Sequence, residues 1–457
     1  MSEHAAKTRS RVLLAVAAFA LVSGCSSSRE PASSTVSLAG SARPSEKQPT
    51  WPIAAEADPA KLGFSAEGLQ ALDARMREAV DKGQIAGINY ALVKDGKVVA
   101  YRFLGNQTLG GPPMDKDTLF RIRSMGKSIT AVAMMQLWEQ GKWKPEDPIT
   151  KFLPELANLK VATSPDNLDN LAPIARTPTM NELMTHTAGF AYGINRATAA
   201  ERAMQDADVG HAKDMRALVD TAAKTPLAVQ PGERWNYSIA VDLQGAIIER
   251  ITGKTLGEYF EQNIFAPLKM DKTGFWLKEA ERPHLATVYT RDAATGSLVV
   301  LPDKGNTAAD DPFKKNSNFE SGGGGASGLI STMHDFVRFT QMLVNKGELG
   351  GRRVLKPDTV AYMTQNHIGG IKGVLGGDGY GFGYGGRVVV NGSTATTPQP
   401  NGAFSHFSIE GAWYWIDPAS NLSFVGLIQR RGGGGPGAVA MGGEGDAARL
   451  VYKALAK

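Results

Sequence analysis

The 457-residue chain contains a single cysteine, Cys25. One thiol excludes an intramolecular disulfide framework and any zinc site built on cysteine. Charge of one sign is barely in excess: 50 Lys and Arg against 45 Asp and Glu leave +5, too little for a nucleic-acid footprint. No segment approaches eighteen uninterrupted apolar residues, so no transmembrane helix is expected. His211, His284, His334 and His367 show neither His-x₃-His nor Glu-flanked spacing, and no metal or cofactor is expected. The glycine runs 322–325 and 432–435 lack a following Lys-Ser/Thr and read as loops rather than phosphate cradles. What remains is ordinary globular text. With 42% hydrophobic and 21% charged residues, wholesale disorder and fibrous repeats are ruled out. At roughly 100–200 residues per domain the length permits two to four lobes around a sizeable core.

The lone cysteine sits in an informative place. Lys7, Arg9 and Arg11 precede an apolar run over 12–22, followed by Ser23-Gly24-Cys25. A basic start, a short apolar middle and small residues before a cut form a secretory signal. The stretch Leu21-Val22-Ser23-Gly24-Cys25 resembles the bacterial lipobox, in which cleavage precedes a lipid-modified cysteine. Residues 1–24 are therefore expected to be removed and Cys25 to carry a lipid that anchors the chain to a membrane, with the folded part facing the periplasm. That cut takes three basic residues and Glu3, leaving +3. Residues 25–54, rich in Ser and Pro, read as a flexible tether.

The folded part is expected over 55–457. Ser65 can cap a helix whose apolar face is Leu69, Leu72, Met76 and Val80, ending near Gly83. A strand over 88–93, a Lys94-Asp95-Gly96 turn and a strand over 97–103 make a hairpin. Helical patterning runs from 118 to 156, and an amphipathic stretch covers 239–251. Strand patterning returns over 386–390, 404–409, 412–416 and 422–429, and a helix over 446–455 closes the chain. Strands at both ends with helices between them predict an α+β fold. One antiparallel sheet is built from both chain ends and flanked by helices, and a helical lobe (about 140–285) is inserted between them. A cleft between such units is a usual place for a site.

Ser124-Met125-Gly126-Lys127 is the chemical core of the reading. Residues i and i+3 share a helix face, so the Lys127 amine can lie over the Ser124 hydroxyl. A serine needs such a neighbouring base before it becomes a nucleophile. The segment 118–127, together with Leu183-Met184-Thr185-His186-Thr187-Ala188-Gly189, Trp235-Asn236-Tyr237-Ser238, 265–270 and 327–332 with Asp335, resembles the serine β-lactamase and penicillin-binding-protein superfamily. The match is to its class C-like branch of esterases and peptidases, from about residue 60 to the C-terminus and in the family's order. The resemblance implies that Ser124 is the nucleophile and that Tyr237 works with Lys127 as general base. It implies that His406 in His406-Phe407-Ser408 stands where other members have Lys-Thr-Gly or His-x-Gly, as a cation or a hydrogen-bonding group. Ser408 departs from the family's glycine there. The oxyanion hole would use the backbone N–H groups of Ser124 and Ile409. His186 is expected to be scaffolding.

The reaction class implied is acyl transfer through Ser124 on a small-molecule ester or amide. True class C β-lactamases carry Tyr-x-Asn, but this chain has Tyr237-Ser238-Ile239, and it lacks Lys-Thr-Gly. Both features resemble the carboxylesterases of the family, so ester hydrolysis ranks first. A β-lactamase or D-Ala-D-Ala-type peptidase ranks second. A lipoprotein that binds penicillin or peptidoglycan without turnover is the non-enzymatic alternative.

Overall fold

The computed structural model describes residues 57–209, 212–301, 328–432 and 444–455. Cys25, the signal segment, the tether and the glycine run 322–325 lie outside the described residues. The principal elements in chain order are α1 (Ala66–Asp81), β1 (Gly87–Lys94), β2 (Lys97–Gly105), α2 (Lys127–Glu139), α3 (Ala240–Thr252), α4 (Met333–Val344), β3 (Tyr380–Phe382), β4 (Arg387–Val389), β5 (Phe404–Phe407), β6 (Trp413–Asp417), β7 (Leu422–Leu427) and α5 (Glu444–Ala454).

The seven strands form one antiparallel sheet in the order β3-β4-β5-β6-β7-β1-β2. Within it β7 pairs with β1, in the register Asn89↔Leu427 to Lys94↔Leu422, so strands from the two ends of the folded part meet as expected. Both sheet faces are covered. On one, Tyr90, Leu92, Trp415 and Phe424 pack with Leu72 and Met76 of α1 and Val451 of α5. On the other, Ala91, Val93, Tyr414, Ile416 and Val425 join the larger core with α2, α3 and α4. Period-2 alternation thus serves two apolar layers, which explains why these strands read as nearly continuous hydrophobic text.

Ser65 caps α1 by accepting from Gly68 N–H at 3.1 Å. Its own N–H donates to Ala454 O at 2.8 Å, tying α1 to α5.

Three expectations change. The helix expected from 118 begins only at Lys127, because Leu119–Arg121 is a strand paired with Ile330–Thr332. The partner lies some two hundred residues away in sequence, where local patterning cannot see it. The strand expected over 404–409 stops at Phe407, so Ser408 and Ile409 belong to the turn that follows. The helix-rich middle is not purely helical: Lys160–Ala162 and Leu171–Pro173 form a two-stranded ribbon. Pro173 is tolerated there because a two-stranded ribbon leaves one N–H side of each strand unpaired.

Gly68 permits the α1–α5 approach, since a Cβ there would stand 2.4 Å from Ala454 Cβ. Gly68→Ala should therefore destabilise the fold by roughly 1–2 kcal/mol, as overpacking outweighs the alanine helix preference. Urea unfolding reads this directly. A rise in stability of about 1 kcal/mol, as for a solvent-facing helical glycine, would contradict the packing.

Candidate active site

The nucleophile segment is a strand, a tight turn and a buried helix in succession. Leu119–Arg121 leads into a 3-10 turn, Arg123–Gly126, and α2 starts directly at Lys127. The turn keeps the i, i+3 pair together: Lys127 Nζ lies 3.4 Å from Ser124 Oγ. Ser124 is half-buried, whereas Lys127 is only 1% exposed. A buried ammonium needs acceptors. Besides Ser124 it finds the hydroxyl of Tyr192 at 3.1 Å. It also lies over the rings of Tyr192 and Tyr237, at 5.4 and 5.3 Å from their centroids.

Tyr237 is carried by a segment stitched to the Thr185-His186-Thr187 turn. Asn236 N–H donates to His186 O at 2.8 Å, and Ser238 N–H donates to His186 Nδ1 at 3.2 Å. The Tyr237 ring stacks on Trp235 at 5.7 Å and meets His186 at 4.7 Å. Its hydroxyl has no protein partner among the described residues. His186 therefore braces Tyr237.

His406, on β5, faces Tyr237 with ring centroids 6.3 Å apart. Its Nδ1 lies 2.9 Å from Phe407 N, and Nε2 has no protein partner among the described residues. Burial, reinforced by the Lys127 charge, pushes His406 down to about 3. Burial also holds His186 well below the usual histidine range, with Lys127 again contributing. Both rings are neutral at pH 7, so His406 can serve as a hydrogen-bonding group but not as the cation of Lys-Thr-Gly.

Ser408 is buried; its N–H donates to Ala412 O at 2.7 Å and its Oγ accepts from Glu410 N–H at 3.1 Å. The neighbouring Ile409 is 39% exposed, and no acceptor engages its N–H among the described residues. Ser124, second in its 3-10 turn, has an N–H of the kind that finds no intrahelical acceptor. The strand β5 packs directly against this turn. Beside Tyr237 and His406 lies a narrow apolar cleft, walled by these two residues with Trp235, Val374, Leu375 and Phe382. Arg387 also borders it, but its guanidinium is paired with the buried carboxylate of Glu444 and with Ser405 Oγ.

The structure thus gathers Ser124, Lys127, Tyr237 and His406, with the Ile409 amide on the adjoining turn. Tyr192 was not foreseen. Its signal was an aromatic residue three positions after Gly189, ambiguous without knowing where the buried lysine ends.

A family model described as Beta-lactamase matches residues 72–447. The chain belongs to the beta-lactamase family. It is a serine hydrolase, and its fold is that of the β-lactamase and transpeptidase group. This beta-lactamase-family chain is 32% identical over 369 residues to Protein Rv1367c of Mycobacterium tuberculosis, covering 78% of this chain and 88% of that one. It is 29% identical over 387 residues to Esterase EstB of Burkholderia gladioli, covering 81% and 93% respectively. Among solved structures it is similar to EstCE1, a hydrolase with promiscuous acyltransferase activity. There the TM-score is 0.67 at 25% identity, over 84% of this chain and 98% of that chain.

The neutral histidines set an acid limb of stability. An unfolded histidine titrates near 6.5, while folded His406 does so at about 3. Its contribution is complete above pH 6.5 and is lost as pH falls toward 3, at about 1.4 kcal/mol per pH unit. Tm measured from pH 7 to 4 should fall less steeply in His406→Asn than in wild type. Identical slopes would contradict the burial.

Proposed function

We propose that the chain is a carboxylesterase acting through an acyl-enzyme on Ser124. The observation that carries the reading is Lys127 Nζ, buried, 3.4 Å from Ser124 Oγ and over the ring of Tyr237, which itself walls an apolar cleft. Ser124 Oγ attacks the ester carbonyl while its proton passes to the Tyr237–Lys127 pair. The oxyanion of the tetrahedral intermediate accepts from the N–H groups of Ser124 and Ile409. Collapse expels the alkoxide, which takes the proton and leaves as an alcohol. Water then gives a proton to the same pair and attacks the acyl carbon, and collapse breaks the acyl–Oγ bond, releasing the carboxylic acid as Ser124 Oγ takes that proton back.

Two features favour an ester over a β-lactam. Ile239 is buried and Ser238 is tied to His186, so the Tyr-x-Asn amide that would hold a drug side chain is missing. Among the described residues the cleft wall also offers no free cation for a substrate carboxylate, because His406 is neutral and Arg387 is matched by Glu444. The esterase name borne by EstB and the hydrolase description of EstCE1 support the same choice.

Ser124→Ala should lower turnover of a chromogenic short-chain ester by more than about 10³-fold. Wild type should cleave that ester faster than a chromogenic cephalosporin. Ester turnover that survives the substitution would remove Ser124 as nucleophile, and faster cephalosporin cleavage would reverse the ranking. Stoichiometric acylation without turnover would make the chain a binding protein.

We also propose, on the sequence around Cys25, that the enzyme is an exported lipoprotein. Wild type expressed in a bacterial host should incorporate labelled palmitate and partition with membranes, and Cys25→Ala should do neither.

A further inference from the structure

Arg123, immediately before Ser124, has φ of +47°. That left-handed conformation costs an L-residue roughly 1–2 kcal/mol, and glycine would adopt it freely. The chain instead places there an arginine only 4% exposed. Its Nε and Nη2 lie 3.1 and 2.9 Å from Glu410 Oε1. Arg431 Nη2 reaches the same oxygen at 2.9 Å. Glu410 is fully buried, and its other oxygen, Oε2, has no partner among the described residues.

Such an arrangement is a poor way to gain stability. Desolvating a carboxylate and a guanidinium offsets most of their attraction, and apolar residues of similar volume often do as well or better. What the pair does supply is geometry. Arg123 adjoins Ser124 in the chain and Glu410 adjoins Ile409, the two residues whose amides serve as oxyanion donors in the reading above. The backbone of Glu410 is anchored as well. Glu410 N–H donates to Ser408 Oγ, and Glu410 O accepts from Arg430 N–H at 2.9 Å. A second stitch runs parallel to it: the Gln429 carboxamide accepts from Arg121 N–H at 3.3 Å and donates to Arg121 O at 3.1 Å. The nucleophile turn and the turn after β5 come from sequence positions almost three hundred residues apart, and these contacts hold them in one register.

We propose that the buried Arg123–Glu410 pair is a clamp that sets the relative placement of the Ser124 and Ile409 amides, making Glu410 a positioning residue for the oxyanion hole. The clamp rests on the Ser124 acyl-enzyme reading. An oxyanion donor acts only when it is aimed at the tetrahedral oxygen, so a clamp defect appears in the transition state rather than in substrate binding.

The test uses the full chain, with p-nitrophenyl butyrate as substrate and a fluorophosphonate as serine label. Sites are counted by labelling and rates expressed per labelled site, which separates geometry from loss of folded protein. Glu410→Gln keeps the volume and removes the charge. Its kcat should fall about 10²-fold with KM within about threefold, and the labelling rate should fall in parallel because phosphonylation passes through the same oxyanion. Glu410→Asp should restore part of the loss. Arg123→Gly removes the clamp and relieves the φ penalty but leaves the buried Glu410 carboxylate to Arg431 alone, so Tm should fall and kcat per labelled site should fall with it. Full kcat per site in Glu410→Gln or in Arg123→Gly overturns the clamp, whatever happens to Tm. Labelling that persists in Ser124→Ala overturns the underlying reading and the clamp with it. Ser124-dependent labelling that Glu410→Gln leaves unchanged overturns the clamp alone.

Discussion

A lysine ammonium with 1% of its surface exposed is the constraint around which this site is arranged. Leaving such a charge without partners would cost several kcal/mol, so Ser124 Oγ, Tyr192 OH and the faces of two tyrosine rings must all reach Lys127. Three separate segments are thereby forced together: the turn at Ser124, the stretch ending at Tyr192 and the stretch carrying Tyr237. The same charge works at longer range. Burial is the main reason His186 and His406 stay neutral, and the Lys127 charge adds to it.

Holding a lysine that deep requires a helix buried on nearly every side. Residues 127–135 of α2 are all buried, between the sheet and α3. Ser128 fixes the helix to the sheet side, with its hydroxyl 2.6 Å from Gly385 O and 2.5 Å from Tyr414 OH. Gly385 meets this demand in two ways. Its φ is +83°, and a Cβ there would lie 2.5 Å from Ala131 Cβ and 3.0 Å from Lys127 O. The sheet that supports Tyr414 is itself completed only when β1, from the start of the folded part, pairs with β7 near its end. The nucleophile helix therefore depends on a pairing that spans most of the chain.

Much of this could be read in advance where the signal was local. The Ser65 cap, the β1–β2 hairpin, the strands over 413–417 and 422–427 and the closing helix followed from capping, turn chemistry and alternation. Where the determinant was distant, the reading drifted. The helical stretch expected from 118 takes in Leu119–Arg121, although Phe120-Arg121-Ile122-Arg123 is strand-like text, because the strand partner, Ile330–Thr332, lies far along the chain. The helix α4 was not foreseen, although Thr332 caps it through Asp335 N–H at 3.2 Å, a local signal that the apolar text after it obscured. Tyr192 and Glu410 carried no spacing signature. One is an aromatic residue in a loop and the other a lone acid after a strand, and both acquire meaning only from what they touch.

The motif residues, through the resemblance to the serine β-lactamase superfamily that they carry together, pointed to a serine hydrolase: a serine three residues before a lysine, followed in the family's order by Thr185-His186-Thr187 and Trp235-Asn236-Tyr237. Those are properties of residue identity and order, and the Ser–Lys spacing is one that a helical turn enforces without help. Which tyrosine meets the lysine, whether His406 is charged, and how the Ser124 and Ile409 amides are held together were decided only by the tertiary structure. Each depends on burial and on contacts between residues tens to hundreds of positions apart. Desolvation and long-range register are not encoded in any one stretch of chain.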